Sequence, residues 1–387
     1  LNKLLPIESG RKINNMLFSK IHGLDEVKTR LVNAAKNDQV AHAQLFLGKP
    51  GSPNLAMALA YAAFLNCENR TEEGACGSCP SCLKNQKYVH PDVHFVFPVS
   101  STKKVTGKDV VSNSFLKEWR QFLIENPYGD LNTWSGYYGG EDKQVNISKE
   151  ESRQIIKNLS LKAFEGKYKV MIVWLPEFMH PSAANGILKI LEEPPESTIF
   201  LLVSNDSERL LTTILSRTQI VNIPMFADED IRNILTNSHG IDAGKAEEVA
   251  HLADGDISKA FRLSNNLEDD NQQIFADWMR DCFKRDFASL VKRADTYHGM
   301  NKLAQKSLLQ FTLNILRETL VYIPAREVAR TGGKINEFVD KFSKVMDANK
   351  IEKIAKLVNE AHYHIERNAS PKMTFLDLSL QIARIIK

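Results

Sequence analysis

The chain has no apolar run approaching the roughly 20 residues that cross a bilayer, and no basic-then-apolar leader pattern opens it. A cytosolic, reducing setting with no membrane partner is therefore the expected one. Charge of one sign is also missing, since 50 Lys and Arg against 47 Asp and Glu leave a formal +3. No global basic excess marks nucleic-acid binding, and any DNA contact falls to a local patch or to partner proteins. Cysteine is scarce, five in 387 residues, which excludes a disulfide scaffold. The first residue is Leu1, and Met16 opens the stretch M-L-F-S-K-I. Residues 1–15 are read as a leader from cloning or as upstream read-through.

The few cysteines are not scattered. Cys67, Cys76, Cys79 and Cys82 follow the spacing C-x8-C-x2-C-x2-C, which in a reducing compartment points to tetrahedral thiolate ligation of zinc. A redox pair or unligated thiols are the alternatives. His90 and His94 in H-P-D-V-H stand near enough in sequence to substitute as a ligand, although four thiolates already close such a site. A closed site has no open coordination position, so its role is structural. Cys282 reads as an ordinary buried thiol.

Residues 48 to 55 read G-K-P-G-S-P-N-L between the apolar run Leu45-Phe46-Leu47 and a helical stretch from Ala56 to Leu65. This is the frame of a phosphate-binding loop, G-x-x-x-x-G-K-[ST], without its chemistry. Gly48 starts the frame and Gly51 lies within it, but Pro53 stands for the second glycine, Asn54 for the lysine and Leu55 for the metal-binding hydroxyl. Pro53 lacks the N–H, Asn54 the charge and Leu55 the oxygen that phosphate and Mg²⁺ require. Hydrolysis of ATP through this loop is not expected.

Lys169 to Leu175 and Ile199 to Val203 are apolar runs of strand length, as in parallel strands buried on both faces. Between them, Ala184, Ile187, Leu188 and Leu191 recur at helical spacing, stopped by Pro194-Pro195. Strand and helix alternating in this way imply a parallel sheet covered by helices. Beyond Pro224 the pattern turns wholly helical, with segments at 228–237 and 245–265 and a second module at 270–387. There Leu309, Leu313, Leu316, Leu320 and Ile323 form an apolar stripe ended by Pro324, and Ile354, Leu357, Val358, Ala361 and Ile365 form another. Both read as core faces, with oligomer contact as the alternative. Residues 99–144 carry Lys103, Lys104 and Lys108, then W-S-G-Y-Y-G-G from Trp134 to Gly140. A surface insertion packed by its own aromatics is the preferred reading, and a basic-aromatic binding patch the other.

Three strings together, H-A-Q-L-F-L-G from His42, L-N-C-x8-C-x2-C-x2-C from Leu65 and N-G-I-L-K-I-L-E-E-P-P from Asn185, followed by Ser216-Arg217-Thr218, resemble the AAA+ subunits of the bacterial DNA polymerase III clamp loader. The C-terminal I-E-R-N from Ile365 resembles their helical collar. The resemblance implies an α/β plus all-α architecture: an AAA+ parallel-sheet domain at 16–225 with a zinc module at 67–82, a helical lid at 226–268 and a helical collar at 269–387. It also sets the Walker B acids of the active subunits on Trp174 and Leu175, the sensor-2 arginine on Ser258 beside Lys259, and sensor 1 on Ser204. Within the family these residues suit the delta-prime role and not the hydrolysing gamma/tau role. The family's S-R-C motif falls on Ser216, Arg217 and Thr218, so Arg217 is expected to serve as an arginine finger toward a neighbour's nucleotide. Expected partners are gamma/tau and delta subunits, with the sliding clamp and primer-template DNA reached through the assembly. An ATPase using Lys49 in an unorthodox loop, or a zinc-dependent nucleic-acid-binding protein, are the rival readings. Glu192 and Glu193 receive no acid/base role.

Overall fold

Strands of almost unbroken apolar sequence can exist only where both of their faces are covered, and two such strands set the centre of this fold. In the computed structural model, which describes residues 16–140, 143–264, 267–300, 302–322, 339–340, 342–344, 346–367 and 369–386, β3 (Lys169–Trp174) and β4 (Thr198–Ser204) are buried along their whole length. With β1 (Ala43–Leu47), β2 (Val93–Val96) and β5 (Gln219–Asn222) they make a sheet of order β2-β3-β4-β1-β5. All four pairings are parallel, with Lys169 opposite Thr198, Ala43 opposite Phe200 and Gln44 opposite Gln219. The sequence pattern missed β2 and β5, which are only four residues long. β5 keeps three of its four residues exposed, so it carries no buried apolar run.

The chain divides into two compact units, 1–260 and 261–387. Helices of the first unit are α1 (Asp25–Lys36), α2 (Asn54–Leu65), α3 (Pro80–Gln86), α4 (Leu116–Glu125), α5 (Leu131–Tyr138), α6 (Lys149–Ser160), α7 (Pro181–Glu192), α8 (Thr212–Leu215), α9 (Asp228–Asn233), α10 (Ala243–Ala253) and α11 (Ile257–Ser264), the last running across the division. Every residue of α2 is buried. Its sequence N-L-A-M-A-L-A-Y-A-A-F-L is apolar all round, which suits a helix with no solvent face. It lies against β1, β3 and β4, while Phe18 covers its other side through Tyr61 and Phe64.

Residues 99–140 pack their aromatic rings on one another and on Phe97. Trp119, Phe122 and Trp134 are fully buried; Trp119 stacks on Phe97 at 4.2 Å and meets Trp134 edge-on at 5.0 Å. Ser112 ties this segment to the end of β2, since its Oγ accepts from the Phe97 N–H and donates to the Phe97 carbonyl. The Ser112 N–H donates to Glu151 Oε2 of α6 at 2.7 Å.

The second unit contains α12 (Leu267–Lys284), α13 (Phe287–Gly299), α14 (Lys302–Tyr322) and the helices Ala348–Glu366 and Pro371–Ile385. Its core holds Phe275, Trp278, Tyr297 and Phe375, with the Trp278 indole N–H donating to Ser379 Oγ at 2.9 Å. The buried face of α14 includes Leu309 and Leu316 of the stripe and, beside them, Leu308, Phe311, Thr312, Ile315 and Thr319, whereas Leu320 is 40% exposed. The two threonine hydroxyls donate to the carbonyls of Leu308 and Ile315 one turn back, which lets polar residues occupy the core face. On Ala348–Glu366 the expected stripe and the buried face agree at Ile354, Val358, Ala361 and Ile365. Residues 1–15, Asn265, Ile323, Pro324 and Asn368 lie outside the described residues. Among the described residues no helix is long and apolar enough to cross a membrane.

Burial pushes the Glu151 carboxyl up to about 7 from 4.5. Because the folded-state value is the higher one, the folded protein holds this proton more tightly, and the resulting stability is full below about pH 4.5 and lost as pH rises through 7. Glu151→Gln keeps an acceptor for Ser112 and removes the titration. Urea unfolding at pH 4.5 and pH 8 is expected to show a loss of up to about 3 kcal/mol across that window attributable to Glu151 in the parent, and its absence in the variant.

Candidate functional site

The carboxyl ends of parallel strands, where the strand order changes direction, are where open α/β sheets bind ligands. In this sheet β1 sits between β4 and β5, so the loop leaving β1 meets the end of β4. Gly48 donates its N–H to the Ser204 carbonyl, and a Cβ here would lie 2.1 Å from Ser52 Oγ and 2.8 Å from the Ile223 carbonyl oxygen. Only glycine fits that approach. Gly51 has φ +88, and a Cβ on it would meet the Asp256 carboxylate carbon at 2.3 Å. Its carbonyl accepts from the Ile257 N–H at 3.3 Å. The loop is thus closed from above by the start of α11, with a carboxylate set against it.

At the lysine position of the loop, Asn54 is 4% exposed. Its amide nitrogen donates to the Ser204 carbonyl at 3.0 Å and to Asn205 Oδ1 at 2.9 Å, while its Oδ1 accepts from the Leu55 N–H. Ser204, wholly buried, donates to Glu177 Oε2 at 2.9 Å, and the Asn205 N–H donates to Glu177 Oε1 at 3.0 Å. Burial raises the Glu177 carboxyl above its ordinary range. Asn54, Ser204, Asn205 and Glu177 therefore satisfy one another, a net of amide, hydroxyl and carboxyl groups. Asn205 and Glu177 were not legible as site residues; nothing in the local sequence marks a glutamate three residues past a strand as the partner of Ser204, 27 residues on. Lys49 is exposed at the surface of the loop.

Trp174 and Leu175 end β3, 3% and 2% exposed. The Trp174 ring lies 5.1 Å from Trp119 and 5.8 Å from Phe122, so it extends the aromatic core of the insertion. Leu175 takes the left-handed conformation, φ 54 and ψ 57, which costs a β-carbon-bearing residue about 1–2 kcal/mol and needs fixed surroundings. Its N–H donates to the Val203 carbonyl at 2.8 Å. The insertion also reaches α11: Ser258 Oγ donates to the Tyr128 carbonyl at 2.5 Å, and Tyr128 packs edge-on against Phe226. Lys259 directs its Nζ to the Leu252 carbonyl.

Arg217 is placed away from this net, just past α8, with its side chain 30% exposed. The guanidinium pairs with Glu192 at the end of α7 and donates from Nη1 to the Thr213 carbonyl at 2.8 Å and to Ser216 Oγ at 3.2 Å. Thr218 Oγ1 donates to the Leu215 carbonyl, closing the same turn.

The four clustered cysteines meet beyond the C-terminal end of α2, their sulfurs all within 4.8 Å of one another. Cys76 and Cys82 sulfurs are 3.9 Å apart; a tetrahedral ion with metal–sulfur bonds of about 2.3 Å sets such edges near 3.8 Å. Backbone N–H groups of Cys76, Cys79 and Cys82 donate to the sulfurs of Cys67, Cys76 and Cys79. Burial pushes the Cys67 and Cys82 thiols up, whereas the Ser78 backbone holds Cys76 down to about 6. Buried thiolates need a cation beside them, so the donor set fits a divalent ion. His90 lies apart, buried, its Nδ1 accepting from the Asp92 N–H and its Nε2 facing Glu165 at 3.6 Å; no histidine joins the thiol cluster among the described residues. Cys282 is fully buried against the Ser379 carbonyl, its thiol pushed up to about 12.

The class defined by this fold and site is a parallel α/β protein with a phosphate-loop-like turn joining its first strand to a buried helix. The chain belongs to the DNA polymerase III delta subunit family, whose model matches residues 23–227, more than half of it. It is 25% identical over 260 residues to DNA polymerase III subunit tau of Escherichia coli (strain K12), covering 66% of this chain and 33% of that protein. To DNA polymerase III subunit delta' of Bacillus subtilis (strain 168) it is 26% identical, covering 62% of this chain and 58% of that one. To the delta' subunit of Yersinia pestis it is 30% identical, covering 49% and 43%. The chain spans about a third of the tau relative and about half of the delta' relatives.

Two outcomes test these sites. Asn54→Ala takes the acceptor from the Leu55 N–H and the donor from Asn205 Oδ1, and is expected to lower unfolding free energy in urea by about 1–3 kcal/mol; an unchanged midpoint would show that the net holds nothing. Elemental analysis is expected to find about one zinc per chain, and Cys79→Ser or a strong chelator should lower Tm sharply.

Proposed function

We propose that this chain is a delta-prime-like subunit of a bacterial DNA polymerase III clamp loader, a non-hydrolysing member that lends Arg217 to nucleotide held by its neighbour. The observation that carries this reading is the contrast between Asn54 and Arg217. Asn54 is buried and fully bonded where a phosphate lysine would stand, while Arg217 keeps a partly exposed guanidinium. Trp174 and Leu175 offer no carboxylate for Mg²⁺, Ser258 is engaged with the Tyr128 carbonyl, and Asp256 places negative charge against Gly51. Each of these works against holding ATP in this chain. A guanidinium reaching a neighbour's γ phosphate would neutralise charge in the transition state of phosphoryl transfer.

In this reading residues 16–225 are the AAA+ domain, 226–268 the lid and 269–387 the collar, and Cys67, Cys76, Cys79 and Cys82 hold a structural zinc. The partners are gamma/tau and delta subunits, and through them the sliding clamp and primed DNA. The tau-named relatives favour a second reading, a hydrolysing subunit in which Lys49 serves the phosphates. Lys49 adjoins Gly48 and lies exposed, far in register from the buried lysine position.

The isolated chain is expected to show no ATP turnover above background, and mixing with the hydrolysing subunit to raise that subunit's rate. Arg217→Ala should remove the gain, by about 10³ or more if the finger acts as such residues do. Turnover by the chain alone supports the second reading, and an unchanged rate with Arg217→Ala sinks the finger assignment.

A further inference from the structure

We propose that Glu192 is a positioning residue for Arg217, fixing the plane in which its guanidinium meets a neighbour's phosphate. This rests on the reading of Arg217 as a finger acting in trans, and it adds a residue from a different element. Left to itself, an arginine on a surface turn samples many rotamers. Here Nε and Nη2 both pair with Glu192 Oε1, and Nη1 donates to the Thr213 carbonyl and Ser216 Oγ. The Thr213 and Ser216 contacts come from the arginine's own turn and move with it. Glu192 comes from α7, 25 residues away in the chain, and is the one of the three that ties the side chain to the frame of the sheet. With the Nε edge and Nη1 engaged, Nη2 still has a donor to give.

Glu192 stands where local physics disfavours it. It is the last residue of α7, with Glu193 as the C-cap, at the negative end of the helix dipole. Pro194 then ends the helix, so the position of Glu192 is set by the backbone. A carboxylate kept at an unfavourable place marks a function for it, and its partner is Arg217. Both side chains are partly exposed, 30% for Arg217 and 45% for Glu192, so the pair does little for folding. Its effect is on order: a side chain already held in place loses less freedom when it engages phosphate.

The test uses the assembled complex with the hydrolysing subunit, comparing parent, Glu192→Gln, Glu192→Asp, Arg217→Ala and the Glu192→Gln/Arg217→Ala double variant. Expected for Glu192→Gln is a loss in kcat on the order of 3- to 10-fold, with KM for ATP and assembly by gel filtration unchanged. Glu192→Asp should fall between it and the parent, and the double variant should be no worse than Arg217→Ala alone. An unchanged or raised kcat in Glu192→Gln while Arg217→Ala is inactive overturns the role of Glu192 and leaves the finger standing. A further loss in the double variant also overturns it, because Glu192 would then act without Arg217. If Arg217→Ala itself leaves the rate untouched, the finger reading fails and this one with it.

Discussion

A single buried amide decides what the first loop of this sheet can be. Asn54 opens a helix that has no solvent face, and a polar group in that place must be paired within the protein. An ammonium there would need an anion as company. The amide needs only a carbonyl, a second amide and one backbone N–H, all of which the end of β4 and the helix itself supply. With that demand met, the loop closes on Ser204, the helix lies against β1, β3 and β4, and the remaining eleven residues of α2 are free to be apolar.

The same trade is visible at the end of β3. An indole at Trp174 cannot hold a metal, but it can join Trp119 and Phe122. That contact anchors residues 99–144 on the sheet, and the anchored segment in turn supplies the Tyr128 carbonyl to Ser258 and the Tyr128 ring to Phe226. The thiol cluster beyond α2 and the Arg217–Glu192 pair past α8 are separate places on the same unit.

What could be read from the linear chain followed from local pattern. Apolar runs at Lys169–Leu175 and Ile199–Val203 mark strands because strands buried on both faces need them, and the structure places β3 and β4 there. The helix stopped by Pro194-Pro195 is α7. Where pattern was weak the reading failed: β2 and β5 are too short to show a period. On α14 the stripe marked Leu309 and Leu316, which are buried, but not Thr312 and Thr319, which share that face because their hydroxyls bond to their own helix.

Residue order alone settles the spacing of the four cysteines and the residue types at Pro53, Asn54 and Leu55, at Trp174 and Leu175, and at Ser216, Arg217 and Thr218. These are statements about residue type, and side-chain chemistry is written in the chain. Which groups meet is a matter of the folded chain. Asn54 finds Ser204 and Asn205 from about 150 residues away, and Ser258 finds Tyr128 from 130. Glu192, given no acid/base role on its sequence, pairs with Arg217 where α7 and α8 come into contact. Hydrogen bonds and ion pairs act over a few ångströms, and the chain records no distance between residues far apart along it.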